Sequence, residues 1–272
     1  MKMKTCTLPN GEKVFCIDKL TAVYVYHEIY DKNVYLYGGI EVKDGDIIFD
    51  VGANIGIFPR FIATKASNLK IYTFEPVLPI FQVLEANLKD VDADIKNYNV
   101  GLGEKDENLE ITYYPRNSGE SAIIPFEWNT KIDLYVEKYK ELVVEDLPIA
   151  RIVPKFLRRR VVKAIFDKIY SGEQIPCEIR RLSSIIKENN IKRIDLMKLD
   201  AENYERQVLA GINEEDWDRI RQIAMEVHTH LKGEENLMVE LEEFLESKGF
   251  KTYEGEESRE TIMGVYMLYA KR

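Results

Sequence analysis

The sequence predicts an α/β protein, a doubly wound and mostly parallel sheet in one large domain with a helical insertion. Two observations predict it. From Asp46 onward, short apolar runs of strand length alternate with longer stretches of helical periodicity, the pattern that βαβ crossovers leave in a chain. The first such run, Asp46-Ile47-Ile48-Phe49, passes directly into the Gly-rich turn Asp50-Val51-Gly52-Ala53-Asn54-Ile55-Gly56. Turns of that kind place small ligands at the carboxyl ends of parallel strands. At 272 residues, 45% hydrophobic and 31% charged, the chain has material for a substantial buried core and an ordinary globular composition.

Each element follows from local pattern. Residues 1 to 45 read as a preface, with Val14 to Ile17 as a strand and an aromatic-rich stretch through Tyr24, Tyr26, Tyr30, Tyr35 and Tyr37. These tyrosines fit an aromatic layer on one edge of the main domain, with Tyr30 and Tyr37 the candidates to wall a pocket. The main domain, 46 to 272, starts with a strand at 46–50, a helix over about 56–67 and a strand at 70–75. The next helix runs from Pro79, a residue suited to a helix's first turn, to Leu88. A third strand at 95–100 ends in the small-residue turn Asn99-Val100-Gly101-Leu102-Gly103, and 110–114 reads as an edge strand. Residues 116 to about 176 break the alternation. They carry helical patterns near 130–145 and 154–170, the second with Val153, Phe156, Leu157, Val161, Val162, Ile165, Phe166 and Ile169 mainly on one face. Arg158, Arg159 and Arg160 fit a solvated face better than an acidic-substrate site. An insertion so placed is expected to form a lid over a substrate site. The alternation resumes with a helix at 182–188, strands at 193–200 and 221–228, helices at 204–210 and 234–248, and closing strands at 250–253 and 262–270.

A net charge of −9 argues against a general nucleic-acid binder, which needs a basic footprint. Cys6, Cys16 and Cys177 form no C-x-x-C pair and are odd in number, so disulfides and structural zinc are not expected. The Met1-Lys2-Met3-Lys4 start leads into no apolar leader core, and no run approaches about 18 apolar residues. The expectation is a cytoplasmic protein without a membrane span.

The turn at Gly52 is not the G-x-G-x-x-G of dinucleotide sites. An acid stands two residues before Gly52, and Asn54, tolerant of positive φ, takes the middle place of an acid-x-G-x-G-x-G pattern. An acid beside the loop suits a ligand bearing an ammonium and a sulfonium, which describes S-adenosylmethionine. The second strand ends in Phe74-Glu75-Pro76, with Glu75 25 residues after Asp50, where a carboxylate can accept both ribose hydroxyls. The cofactor set expected is therefore Asp50, Gly52, Ala53, Asn54, Gly56, Glu75 and Pro76, with Asn99 and Val100 at the adenine. Two further strand tips carry polar groups. Lys198, Asp200 and then Glu202 share a face of one strand, Glu226 and His228 a face of the next. A Lys inside a parallel strand needs a partner, and Asp50 or Glu226 is the candidate.

Phe49 to Gly56, Phe74-Glu75-Pro76, Asp195 to Glu202, Glu226-Val227-His228 and the stretch Tyr113-Tyr114-Pro115 together resemble the FkbM family of S-adenosylmethionine-dependent methyltransferases. The likeness runs from about Tyr24 to the C-terminus, with Ala201 and Asn203 departing from the family's usual residues. The resemblance implies a class I methyltransferase fold, seven strands with one antiparallel, and O-methylation of a small-molecule hydroxyl on a natural product, sugar or lipid-like acceptor. His228, with an unperturbed pKa near 6.5, is the expected base, Glu226 or another acid orients it, and Asp200 faces the methionine end of the cofactor or the acceptor hydroxyl. No resident metal is expected, since no compact ligand run is present. The alternatives are a metal-assisted transfer on Asp200, Glu202 and His228, or a cofactor-binding protein without turnover.

Overall fold

The computed structural model describes residues 3–145, 147–231, 233–258 and 260–272. The preface folds as a two-stranded antiparallel pair, β1 (Lys4–Thr7) and β2 (Lys13–Cys16), followed by α1 (Lys19–Tyr26). Asp18 caps α1 by accepting a hydrogen bond from the Thr21 amide at 2.8 Å, as short acidic side chains do at helix starts. The main domain then runs β3 (Ile47–Val51), α2 (Ile57–Ile62), β4 (Lys70–Phe74), α3 (Leu78–Leu88) and β5 (Asp94–Tyr98). Next come β6 (Gly101–Leu102), β7 (Glu107–Tyr113), α4 (Trp128–Glu137), α5 (Lys155–Ile169) and β8 (Glu173–Arg180). The chain closes with α6 (Leu182–Glu188), β9 (Leu196–Leu199), α7 (Glu205–Ala210), β10 (Gln222–His228), α8 (Leu237–Ser247), β11 (Lys251–Glu254) and β12 (Val265–Lys271).

Seven strands form the central sheet in the order β11-β12-β10-β9-β3-β4-β5. β9 and β10, and β3, β4 and β5, pair in parallel, while β12 runs antiparallel to both β10 and β11. This is the expected seven-stranded sheet. Its order reverses between β3 and β9: β4 and β5 build outward on one side of β3, β10 on the other side of β9. Such a switch point opens a crevice at the carboxyl ends, because successive crossovers leave in opposite directions. Residues 48–51 and all of β9 are buried, as helices on both faces of a parallel sheet require. One core layer joins the preface, α2 and α3 through Tyr35, Ile57, Phe58, Phe61 and Ile80, and the other joins α6, α7 and α8 through Leu182, Ile185, Val208, Leu241 and Leu245.

The structure departs from expectation at the insertion. β8 was not legible as a strand, because Pro176 interrupts it and proline is confined to sheet edges and bulges. It pairs antiparallel with β7 and parallel with β6, giving a separate three-stranded sheet. The strand expected at 110–114 therefore belongs to this three-stranded sheet and not to the central one. α4 and α5 pack on each other with a small core of their own, including Ile132, Tyr139, Val144, Val162 and Phe166. Phe156, expected on the inner face of its helix, is instead 83% exposed. The three cysteines are free and buried, and among the described residues no helix is long and apolar enough to cross a membrane.

Candidate active site at the sheet switch point

Gly52 follows the last residue of β3 with φ +73°, a conformation that side chains disfavour. A Cβ at Gly52 would lie 1.8 Å from the Asp200 carbonyl oxygen, so only glycine lets β3 and the end of β9 approach this closely. The Gly52 and Ala53 amides both donate to the Phe74 carbonyl at 3.0 Å. Asn54 takes φ +47° and its amide donates to Glu75 Oε2 at 3.0 Å, while the Val77 amide donates to Oε1 at 2.9 Å. Glu75 is thus pinned at the tip of β4 by two main-chain donors. Burial pushes its pKa up to about 7, the two amide bonds working the other way. Asn99 donates to the Glu75 carbonyl at 2.9 Å and to that of Pro76 at 3.2 Å.

The cleft is lined by Gly52, Asn54, Glu75, Pro76, Gly101, Leu102, Asp200, Ala201, Glu202 and Tyr204, with Ser118, Gly119, Ser121 and Ile123 closing it from above. The expected cofactor residues therefore divide. Gly52, Asn54, Glu75, Pro76 and Asp200 face the cleft. Ala53 packs with Leu84 and Leu88, Val100 joins the core, Gly56 starts α2, and Asp50 and Asn99 support the walls from behind. At the second small-residue turn, Gly101 and Leu102 line the cleft and Asn99 and Val100 do not. Tyr30 and Tyr37 also lie elsewhere, Tyr30 stacked on Tyr26 at 4.5 Å and Tyr37 bonded to Glu256 at 2.8 Å.

Below the cleft sits a buried charge network. Lys198 and Asp50 face each other across the β3–β9 ladder. Lys198 Nζ lies 3.3 Å from Asp50 Oδ1 and 3.3 Å from Asp200 Oδ2, and donates to the Gly52 carbonyl at 2.6 Å. Burial opposes the Lys198 charge, but Asp50 and Asp200 outweigh it and hold its pKa at about 12. The ammonium therefore fixes both the turn and the β9 tip. Tyr35, from the preface, donates to Asp200 Oδ2 at 3.1 Å and to Glu226 Oε2 at 3.4 Å.

His228, at the end of β10, is 3% exposed. Its Nδ1 is 2.6 Å from Glu205 Oε1, and its Nε2 is 3.4 Å from Glu202 Oε2. The acid in hydrogen-bond contact with His228 Nδ1 is thus Glu205, in the first turn of α7, and not Glu226, which faces Tyr35. Glu205 is the functional candidate that sequence reasoning missed. Its signal was present in the Asp200-x-Glu202-x-x-Glu205 spacing, which carries three acids from a strand tip to a helix start. Burial works against a charged imidazole, but Glu205 and then Glu202 outweigh it and raise the His228 pKa well above 6.5. Glu202 and Asn203 hold φ +45° and +69°, a backbone form that costs non-glycine residues energy and clusters at functional sites. Although no compact ligand run exists in the sequence, the fold brings one ligand atom each of Asp200, Glu202 and His228 within 4.8 Å of one another, a donor set able to hold a hard divalent cation. Beside them, the His230 ring stands 5.4 Å from that of His228 and 4.5 Å from Phe126 of the insertion.

A doubly wound sheet with one antiparallel strand, a glycine turn at its switch point and a carboxylate at the next strand tip define a class I methyltransferase. Residues 50–252 match the family described as the methyltransferase FkbM domain. The chain belongs to that family and is an S-adenosylmethionine-dependent methyltransferase. It is 31% identical over 234 residues to 31-O-demethyl-FK506 methyltransferase FkbM of Streptomyces tacrolimicus, covering 83% of this chain and 82% of that one. It is also 31% identical over 226 residues to AMB antimetabolite synthetase AmbE of Pseudomonas aeruginosa. That match covers 83% of this chain, which spans only 10% of AmbE's length. Among solved structures, Aeropyrum pernix fibrillarin with bound S-adenosyl-L-methionine superposes with a TM-score of 0.45 at 12% identity, over 98% of this chain and 93% of that one.

Proposed function

We propose that this protein transfers the methyl group of S-adenosylmethionine to a hydroxyl oxygen of a small-molecule acceptor. The observation that carries the reading is one cleft bounded by both the Gly52–Glu75 cradle and the Asp200–Glu202 tip that reaches His228. In the cradle, Glu75 takes the ribose hydroxyls and Asp200 the cationic methionine end. The acceptor oxygen approaches the methyl carbon opposite the sulfur. Its lone pair forms the C–O bond, the C–S pair returns to sulfur, and the hydroxyl proton leaves toward His228, oriented by Glu205. Holding the reactants in line supplies about 7–11 kcal/mol of the barrier reduction.

Calorimetry with S-adenosylmethionine and its demethylated product tests the cradle. Glu75→Ala is expected to weaken cofactor binding by about 1–3 kcal/mol, the cost of leaving buried polar partners unmatched. Unchanged affinity would remove Glu75 from the ribose. Mass spectrometry of a hydroxyl-compound screen then tests the transfer, with methylated nitrogen or carbon as the outcome against it.

The insertion is assigned as a lid that contributes to acceptor binding. Its own small core and the Phe126–His230 contact at the acceptor end support this. Replacing about residues 126–170 by a short linker should spare cofactor binding and abolish transfer. Full-rate methylation by the shortened protein would end the assignment.

A second reading has the Asp200, Glu202 and His228 cluster behind it. A divalent cation held there would bind the acceptor hydroxyl and ease loss of its proton. Loss of activity on chelation, restored by Mg²⁺ or Mn²⁺, favours this reading. Indifference to chelator returns the proton to His228 alone.

A further inference from the structure

The insertion carries a surface unlike the rest of the molecule. From Leu147 to Phe166 the chain contains Arg151, Lys155, Arg158, Arg159, Arg160 and Lys163 and no Asp or Glu, in a protein of net charge −9. The same stretch exposes large apolar side chains: Ile149 is 67% exposed, Ile152 78% and Phe156 83%. Leu147 is a fourth, at 46%. All four fall within one short segment, the helical turn Pro148–Ile152 and its flanks up to the start of α5. Along α5, Phe156, Arg160 and Lys163 follow each other at helical spacing on the outer face, while Val162 and Phe166 fill the inner one. Of the six cations, Arg159 pairs with Asp133 and Lys163 with Asp167 at 2.7 Å, and Arg158 lies over the Tyr139 ring at 4.3 Å. Arg151, Lys155 and Arg160 are exposed.

We propose that this face of the insertion docks on an anionic lipid surface, with Ile149, Ile152 and Phe156 entering the interface and the surrounding Arg and Lys side chains meeting lipid phosphates. Two physical facts select a lipid surface as the occupant. Large apolar side chains exposed along one short segment cost free energy in water until something covers them. A nucleic acid or free phosphate would satisfy the cations but leave three bulky aliphatic and aromatic groups in water. An interfacial helix pairs an apolar contact with a basic rim so that both parts are satisfied by one anionic membrane. The acidic remainder of the protein is repelled by such a surface, which favours approach through this face.

The proposal goes beyond the functional reading and does not depend on it. Vesicle binding needs neither cofactor nor acceptor, so the two readings fail separately. The full chain should co-sediment with vesicles of phosphatidylcholine containing phosphatidylglycerol and leave vesicles of phosphatidylcholine alone in the supernatant. Binding should weaken as added salt shortens the screening length. The exposed double variant Ile152→Ser/Phe156→Ser and the charge variant Arg151→Glu/Lys155→Glu/Arg160→Glu should each lower partitioning at least tenfold, with circular dichroism unchanged. Equal partitioning of wild type and both variants, or no binding to anionic vesicles, overturns the proposal. So does capture by RNA or an acidic protein with no affinity for vesicles. If vesicles bind while calorimetry finds no S-adenosylmethionine affinity, the docking surface stands and the methyl-transfer reading falls.

Discussion

His228→Ala is expected to lower kcat by about 10²–10⁴ and leave cofactor affinity nearly unchanged, the loss typical of a positioned proton acceptor. The motive is geometric. His228 reaches the Asp200–Glu202 end of the cleft, away from Glu75 and the glycine turn. The measurement is kcat against calorimetric Kd, with His228→Asn and a melting curve separating chemistry from the loss of a buried partner for Glu205. The pH profile carries a second readout. A base works only when deprotonated, so kcat falls on the acid side of its pKa. Glu205 and Glu202 hold that pKa well above 6.5, so the acid limb should lie on the alkaline side of an isolated histidine's. A limb that persists in His228→Ala, or a variant with undiminished rate, assigns the proton to another route.

Lys198→Met should produce the largest loss of stability of any single side-chain change at the site. Lys198 and Asp50 are 3% and 0% exposed, and removing the ammonium leaves Asp50 charged or forces it to bind a proton inside the sheet. Breaking a buried pair in this way costs about 3–5 kcal/mol, whereas replacing both partners is often close to neutral. Denaturant unfolding of Lys198→Met and of the double variant Asp50→Asn/Lys198→Met measures both. A single variant within about 1 kcal/mol of wild type would show that the pair is dispensable. The double variant should regain stability yet bind cofactor poorly, because Lys198 also holds the Gly52 carbonyl.

Pattern was enough to find the strands of the central sheet, while their number and the one antiparallel member were implied by the family resemblance. Parallel strands buried on both faces are largely apolar, so Ile47 to Val51 and Leu196 to Leu199 stood out against polar surroundings, with Asp50 and Lys198 as the charges within them that require partners. Of the two candidate partners for Lys198, Asp50 is the one in register. β8 stayed hidden because its pairing with β7 is a long-range event, from Glu107 against Ile179 to Tyr113 against Glu173, and its proline argues locally against a strand. Phe156 was misplaced because helical periodicity reports which residues share a face, while the neighbour that buries a face lies elsewhere in the chain.

The same division runs through the site. The chain order by itself determined the glycine turn, the carboxylate at the next strand tip and the acids at the end of the fourth parallel strand, because a strand's tip chemistry is written in consecutive residues. Only the tertiary structure decided that Glu205 serves His228, that Tyr35 of the preface reaches Asp200 and Glu226, and that Glu226 faces Tyr35 rather than the histidine. The reason is the switch point. By setting β3 beside β9, it brings Gly52 against Asp200 and opens the space between crossovers. Those contacts depend on sheet order, which no local run of side chains encodes.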